Sequence, residues 1–253
     1  MHGPDYLASL CRGGFPVAVQ RNAAGQARWF RDYVEDTVLR DALDHAGIRK
    51  PEEMLRLLRL LAAHTARIVR AGALENDLQL DRHSIGAYRE ILRSLFLVDD
   101  LGPWRTNRSQ RVIKSPKLHV ADTGLAVSLL GIDFSRLRSE PTLAGQLLES
   151  FVVAELRKQA SWMDVPPTFL HFSEPGRSEV DIVLERPDGA VVGVEVKLAD
   201  HADQRDFHGL RRLRELARDR WAGGVLLAAL PAGFVTEDGL LAVPISALWN
   251  ALP

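Results

Sequence analysis

A chain of 253 residues can bury one large core or two smaller ones, and 46% hydrophobic with 26% charged residues is the make-up of a folded globular protein, not of a fibre or a disordered tail. Its single cysteine, Cys11, rules out an internal disulfide framework and argues against a thiolate metal site. With a net charge of −1 there is no overall attraction for nucleic acid, so any such binding has to come from local patches.

Residues 1–50 read as a helical connector. A break at Gly13-Gly14-Phe15-Pro16 precedes a helical stretch from about Gln26 to Ala46, in which Trp29, Tyr33, Thr37 and Arg40 alternate with acidic positions. Residues 51–131 form a second region. Pro51-Glu52-Glu53 opens a helix, with proline in the first turn and acids at the positive end of the dipole, and Leu55, Leu58, Leu61 and Ala62 give it an apolar face. A short segment at Leu74 to Leu78 follows. Asp81 is the expected N-cap of a helix running to about Leu95, with Ile85, Tyr88, Ile91, Leu92 and Leu95 inward. Strands are expected at Phe96 to Val98 and Val112 to Val120, joined by a polar stretch containing Gly102-Pro103. That order of elements is the order of a winged helix-turn-helix.

The expected wing carries Arg105, Arg108, Arg111, Lys114 and Lys117, with no acid from Leu101 to Lys117, and Arg82, His83 and Arg89 lie on the second helix. These cations could neutralise phosphates and reach a DNA groove. They could equally be solvated, or serve a winged helix that packs against protein, and both readings stay open at this point.

Residues 140–253 form the third region. A helix is expected at 143–159, strands at about 167–172, 178–186 and 190–198, a helix at 203–219 with Phe207, Leu210, Leu213 and Leu216 on one face, and a strand at Gly224 to Leu230. Within it, Pro187-Asp188-Gly189 suits a three-residue hairpin loop with glycine in the left-handed conformation. That register pairs Arg186 with Ala190 and, counted back along both strands, sets Asp181 opposite Glu195. Period 2 puts Lys197 on the face of Glu195, while Val194 and Val196 point the other way. Two carboxylates and an ammonium on one patch suit a hard divalent cation, Mg²⁺ or Mn²⁺. The plain alternative is a solvated charge ladder on the open face of a hairpin.

The αβββαβ order, with an acid on its first helix and Asp-x13-Glu-x-Lys on two successive strands, resembles the PD-(D/E)XK nuclease fold. Glu149 is the helix acid, since its helical neighbours Gly145, Val152, Val153 and Leu156 place it on or beside the apolar face. The resemblance implies that Glu149, Asp181 and Glu195 hold the metal and that Lys197 polarises the attacking water. Gln204 is similar to an accessory glutamine of some nucleases of this fold. The eight histidines are scattered and argue against zinc, and no Gly-x-Ser-x-Gly turn supports a serine hydrolase.

Gly13 to Pro16, Lys114 to Lys117, Leu118 to Leu125, Leu147 to Leu156, Glu179 to Asp181, Val194 to Lys197 and Pro244 to Trp249 together resemble the C-terminal part of prokaryotic AAA-type ATPases that end in a PD-(D/E)XK-like domain. In those proteins a P-loop domain comes first, then a winged helix and the nuclease-like domain. Here no Gly-x4-Gly-Lys-Ser/Thr is present, so ATP phosphates are not cradled by that route. The expectation is a chain without its motor, by truncation or descent, with an ATPase acting in trans as one partner and DNA as another. Where the family's helix reads Glu-Asn, Glu149 is followed by Ser150. The fold class expected is therefore α/β, a helical N-terminal part with a winged helix-turn-helix followed by an αβββαβ nuclease-like core. The function expected is Mg²⁺-dependent phosphodiester hydrolysis on DNA; the alternative is a non-catalytic DNA- or protein-binding regulatory module on a degenerate nuclease scaffold. No apolar run has the length of a membrane span and the first residues lack the regions of a signal peptide, so the cytoplasm is the expected location.

Overall fold

The computed structural model describes residues 5–40, 50–69, 71–107 and 115–250. Helix starts follow from local caps. Asn22 accepts from the Gly25 N–H at 2.9 Å and opens α3 (Ala23–Val34), after α1 (Tyr6–Arg12) and α2 (Pro16–Val19). A π-helical stretch, Glu35–Arg40, continues α3, and the remainder of the long helix expected to Ala46 lies outside the described residues. Pro51 and the acids Glu52 and Glu53 open α4 (Pro51–Ala63), which buries Met54, Leu57, Leu58, Leu61 and Ala62. Then come β1 (Arg67–Ile68), α5 (Ala71–Leu78) and α6 (Arg82–Ser94). Asp81 caps α6, its Oδ1 accepting from the N–H groups of His83 and Ser84 at 2.9 and 3.0 Å.

The exit from α6 differs from the sequence expectation. Phe96 takes a left-handed conformation (φ 56°), its N–H bonding to the Arg93 carbonyl, and the Leu97 N–H bonds back to the Leu92 carbonyl. The strand therefore starts after this cap, as β2 (Val98–Pro103), and takes in the Gly102-Pro103 pair expected to be loop. The expected strand from Val112 is observed as β3 (Lys117–Val120), all four residues buried; 112–114 lie outside the described residues. Helices α7 (Thr123–Leu130), α8 (Phe134–Ser139) and α9 (Pro141–Ala160) follow. Asp122 caps α7 through Oδ1 (Leu125 N–H, 2.8 Å) and accepts from the Gly14 N–H through Oδ2 (2.7 Å). Gly13, at φ 67°, leaves room for that carboxylate, because a Cβ there would lie 2.4 Å from Asp122 Oδ1.

The rest of the chain contains β4 (Thr168–Glu174), β5 (Ser178–Glu185), β6 (Val191–Lys197), α10 (His208–Ala217), β7 (Trp221–Ala228), β8 (Phe234–Val235) and β9 (Leu241–Pro244), with short 3-10 turns at Gln204–Phe207, Arg218–Arg220 and Ile245–Leu248. The protein is thus mixed α/β, with a helical N-terminal part and a large mixed sheet.

Contacts divide it into two units. The helical unit comprises Leu7–Asp100 and Leu118–Phe151, and its core joins Phe30, Val34, Met54, Leu57, Leu61, Leu74, Ile85, Leu92 and Leu118. The other, the sheet unit, comprises Met1–Tyr6, Leu101–Lys117 and Val152–Pro253. In it the end of β2 pairs parallel with β4, β4 antiparallel with β5, and β5 antiparallel with β6. Strands β6, β7 and β9 run parallel, and β8 closes the edge antiparallel to β9. The parallel β6–β7 connection passes through α10, whose Leu210 and Leu213 pack with Trp104, Phe172, Val183, Val191 and Leu226.

Candidate carboxylate site

The β5–β6 turn sets the geometry of the site. The Gly189 N–H donates to the Arg186 carbonyl, the Arg186 N–H donates to the Ala190 carbonyl, both at 2.9 Å, and Gly189 sits at φ 90°. The pairs Glu185–Val191, Leu184–Val192, Val183–Gly193 and Ile182–Val194 carry that register along the strands. One step further, side chains take over from the ladder. Asp181 Oδ2 accepts from the Val196 N–H at 3.0 Å, and the register of the hairpin sets Asp181 beside Glu195. Glu195 is buried, with 7% of its surface exposed.

Two carboxyls side by side and away from water disfavour a second negative charge. Burial opposes the charge on Asp181, but the Lys117 ammonium together with hydrogen bonds from Glu195 and the Val196 N–H outweighs it and holds this carboxyl at about 2. Glu195 is pushed well above the usual carboxylate range, first by burial and then by the charge of Asp181, against the pull of Lys197 and Lys117. The two carboxyls are thus pushed in opposite directions, Asp181 toward the charged form and Glu195 toward the protonated one.

The ammonium in contact with Asp181 is Lys117. Its Nζ lies 3.1 Å from Asp181 Oδ1 and 2.8 Å from Glu179 Oε1, on a side chain only 3% exposed. Lys117, read from the sequence as a DNA-facing wing residue, thus has its ammonium between two carboxylates. Lys197, expected at the centre, is exposed at the end of β6 and acts on Glu195 through space. His171 on β4 is also buried; burial first and then the Lys117 charge push its imidazole down to about 4, against the Ser115 backbone and the charge of Asp181. Helix α10 closes over the carboxyls at Gly209, where a Cβ would lie 2.7 Å from Glu195 Oε1 and 1.8 Å from the Glu179 carbonyl oxygen.

Glu149, the fourth expected member, is buried on α9 in the helical unit, with Oε1 3.7 Å from Nε2 of His119. His119 Nδ1 is 3.0 Å from Ser150 Oγ, which is 2.8 Å from Thr65 Oγ1, and Thr65 Oγ1 accepts from the Val120 N–H at 3.0 Å. Gln204 accepts from Arg211 through its side-chain and backbone oxygens, at 2.6 and 2.9 Å. Of the cations assigned to DNA, Arg82 and His83 are exposed at the start of α6, Arg89 is ion-paired with Asp100, and Arg105 is half-buried and donates to the Ser173 carbonyl at 3.0 Å. Arg108, Arg111 and Lys114 lie outside the described residues.

Sequence reasoning missed Lys117, Glu179, His171 and His119 as members of buried polar groups. One signal for the first two was present. Lys117 sits among apolar strand residues as Lys197 does, and Glu179 shares the face of Asp181 by the period of 2.

Residues 3–136 match the family described as Domain of unknown function (DUF8612). The chain belongs to that family. In this DUF8612 protein, residues 144–248 also match Domain of unknown function (DUF4143), known as a C-terminal domain associated with AAA-type ATPases. Uncharacterized proteins of Mycobacterium bovis and Mycobacterium tuberculosis are each 29% identical over 188 residues, covering 74% of this chain and 41% of the relative. The chain thus spans about two fifths of the length of these curated relatives. No solved structure matches it.

Proposed function

We propose that this chain is a nuclease-like module that processes nucleic acid by Mg²⁺- or Mn²⁺-dependent phosphodiester hydrolysis. The observation that carries the reading is the buried pair Asp181–Glu195, set side by side on adjacent strands with the Lys117 ammonium 3.1 Å from Asp181 and the two carboxyls pushed in opposite directions. Pairs of this kind are concentrated at functional sites. The succession α9, β4, β5, β6, α10, β7 supports an αβββαβ core of PD-(D/E)XK type, and α4, α5, α6, β2, β3 supports a winged helix. The DUF4143 match supports an ATPase partner, supplied in trans or by a longer chain.

Among the described residues no three His, Cys, Asp or Glu side chains come together around one point, so the metal the reading requires would rest on two carboxyls. Mg²⁺ takes oxygen donors, keeps several waters and is commonly held by one or two carboxylates. Asp181 and Glu195 supply two carboxyls on adjacent strands. They would hold the ion, which when bound supplies charge for the phosphate and a water of lowered pKa. The chain's own groups do the positioning: the Val196 N–H fixes Asp181 Oδ2, Lys117 keeps Asp181 ionised, and Gly209 lets α10 shield the pair from water.

The test is cleavage of supercoiled, linear and branched DNA with Mg²⁺ or Mn²⁺. The wild type is expected to cut, and Asp181→Ala to lose at least about a hundredfold of the rate, the scale of removing a principal electrostatic group. One observation favours a second reading, a binding module on a nuclease scaffold: Lys117 already pairs with Asp181. DNA that is bound but never cut would decide for it.

A further inference from the structure

Asp181 has two carboxylate oxygens, and both are engaged, Oδ2 with the Val196 N–H and Oδ1 with Lys117. The Lys117 side chain is 3% exposed, so its ammonium has left water and is held by Asp181 and Glu179. Asp181 is comparably enclosed at 13% side-chain exposure, whereas Glu179 is 52% exposed and opens the group to solvent on one side. Lys197 stands in water, where its charge is screened.

We infer that Lys117, not Lys197, is the ammonium of the carboxylate site, and that it is a resident counter-ion occupying the Asp181 oxygen a divalent cation would use. This rests on the metal-site reading above. Lys117 is a positioning residue that competes with the ion: it balances the charge of Asp181 and sets a threshold concentration below which no divalent cation is held. A unit positive charge a few ångströms from a divalent ion, in partly desolvated surroundings, weakens binding on the order of tenfold or more. Lys197 acts on Glu195 from the exposed end of β6 and takes up no Asp181 oxygen, so it does not compete for the ion's place and its effect should be the smaller.

The experiment is Mn²⁺ titration of the full chain, by calorimetry and by the loss of free-ion paramagnetic resonance signal. Lys117→Met and Lys117→Gln are expected to bind Mn²⁺ at least about tenfold more tightly than the wild type, Lys117→Arg and Lys197→Met to stay within about threefold, and Asp181→Ala not to bind. Unchanged or weaker binding in the neutral Lys117 variants, with Asp181→Ala still abolishing it, overturns the inference and leaves the metal reading intact. No binding by the wild type or by either neutral Lys117 variant overturns the metal reading itself. Glutamine keeps a hydrogen-bond donor for Asp181 should methionine prevent folding. A measurement on the wild type needs no variant: in metal-free protein, reductive methylation of Lys117 should lag that of Lys197 at least about tenfold, as an ion-paired, buried amine requires. Equal rates would overturn the inference.

Discussion

His171 carries the clearest pH signature of any single residue. Its imidazole titrates at about 4 in the folded chain, chiefly because burial disfavours the charged form, against an ordinary value of 6.5. The unfolded chain therefore takes up this proton first as the pH falls. Stability from keeping His171 neutral is complete above about 6.5, is lost as the pH drops from there to about 4, and changes no further below. The full effect is about 3 kcal/mol at most. Urea midpoints of wild type and His171→Gln between pH 7.5 and 4 should converge on the acid side, because the variant lacks this loss. Parallel curves would show that the imidazole is not held neutral. The neighbouring Glu195, with its raised pKa, acts in the opposite sense, so the comparison has to be the difference between the two proteins and not either curve alone.

Among elements, the junction of α10 with the β5–β6 hairpin is the tightest point of the site. Gly209 is the reason they meet, because any side chain there would overlap the Glu179 carbonyl. Gly209→Ala is expected to cost about 3 kcal/mol, the upper range for overpacking, and to move Glu195. Urea denaturation measures the first effect, and an unchanged midpoint would mean that α10 is free to shift. The hairpin itself was legible in the sequence, since Pro187-Asp188-Gly189 determines a register and counting does the rest. Asp81 and Pro51 likewise announced their helices. The β2 frame was not legible, because it depends on Phe96, a bulky residue adopting the left-handed region, which composition does not foretell. Nor was the partner of Asp181. Lys117 is 64 residues away in sequence, and which lysine reaches a carboxylate is decided by the path of β3 and not by the spacing within a Glu-x-Lys strand.

At the scale of the whole molecule, the sheet unit is assembled from separated stretches of chain. Trp104 lies in its core and Lys117 in its carboxylate site, although both precede residue 140, where the sequence pattern suggests a nuclease-like domain begins. A fragment of residues 140–253 would lack the Gly102–Leu170 and Pro103–His171 pairings, the buried Trp104 indole and the counter-ion of Asp181. Losing a buried tryptophan alone costs about 3–5 kcal/mol, a large share of a domain's stability. The fragment is expected to unfold at clearly lower urea than the full chain, or not to fold. A fragment as stable as the parent would show that β2 and Lys117 are accessories.

The run of groups from the Val120 amide to Glu149 has one fixed end and two settings. An amide N–H can only donate, so Thr65 Oγ1 accepts from Val120, but a hydroxyl has a second lone pair and a hydrogen of its own, so the Thr65–Ser150 and Ser150–His119 links can each run either way. With Ser150 donating to Nδ1, the neutral imidazole carries its hydrogen on Nε2, the atom that faces Glu149; with Nδ1 donating to Ser150, Nε2 presents a lone pair to that carboxyl instead. The tautomer of one ring on β3 and the state of a carboxyl on α9 are therefore tied to each other through two hydroxyls.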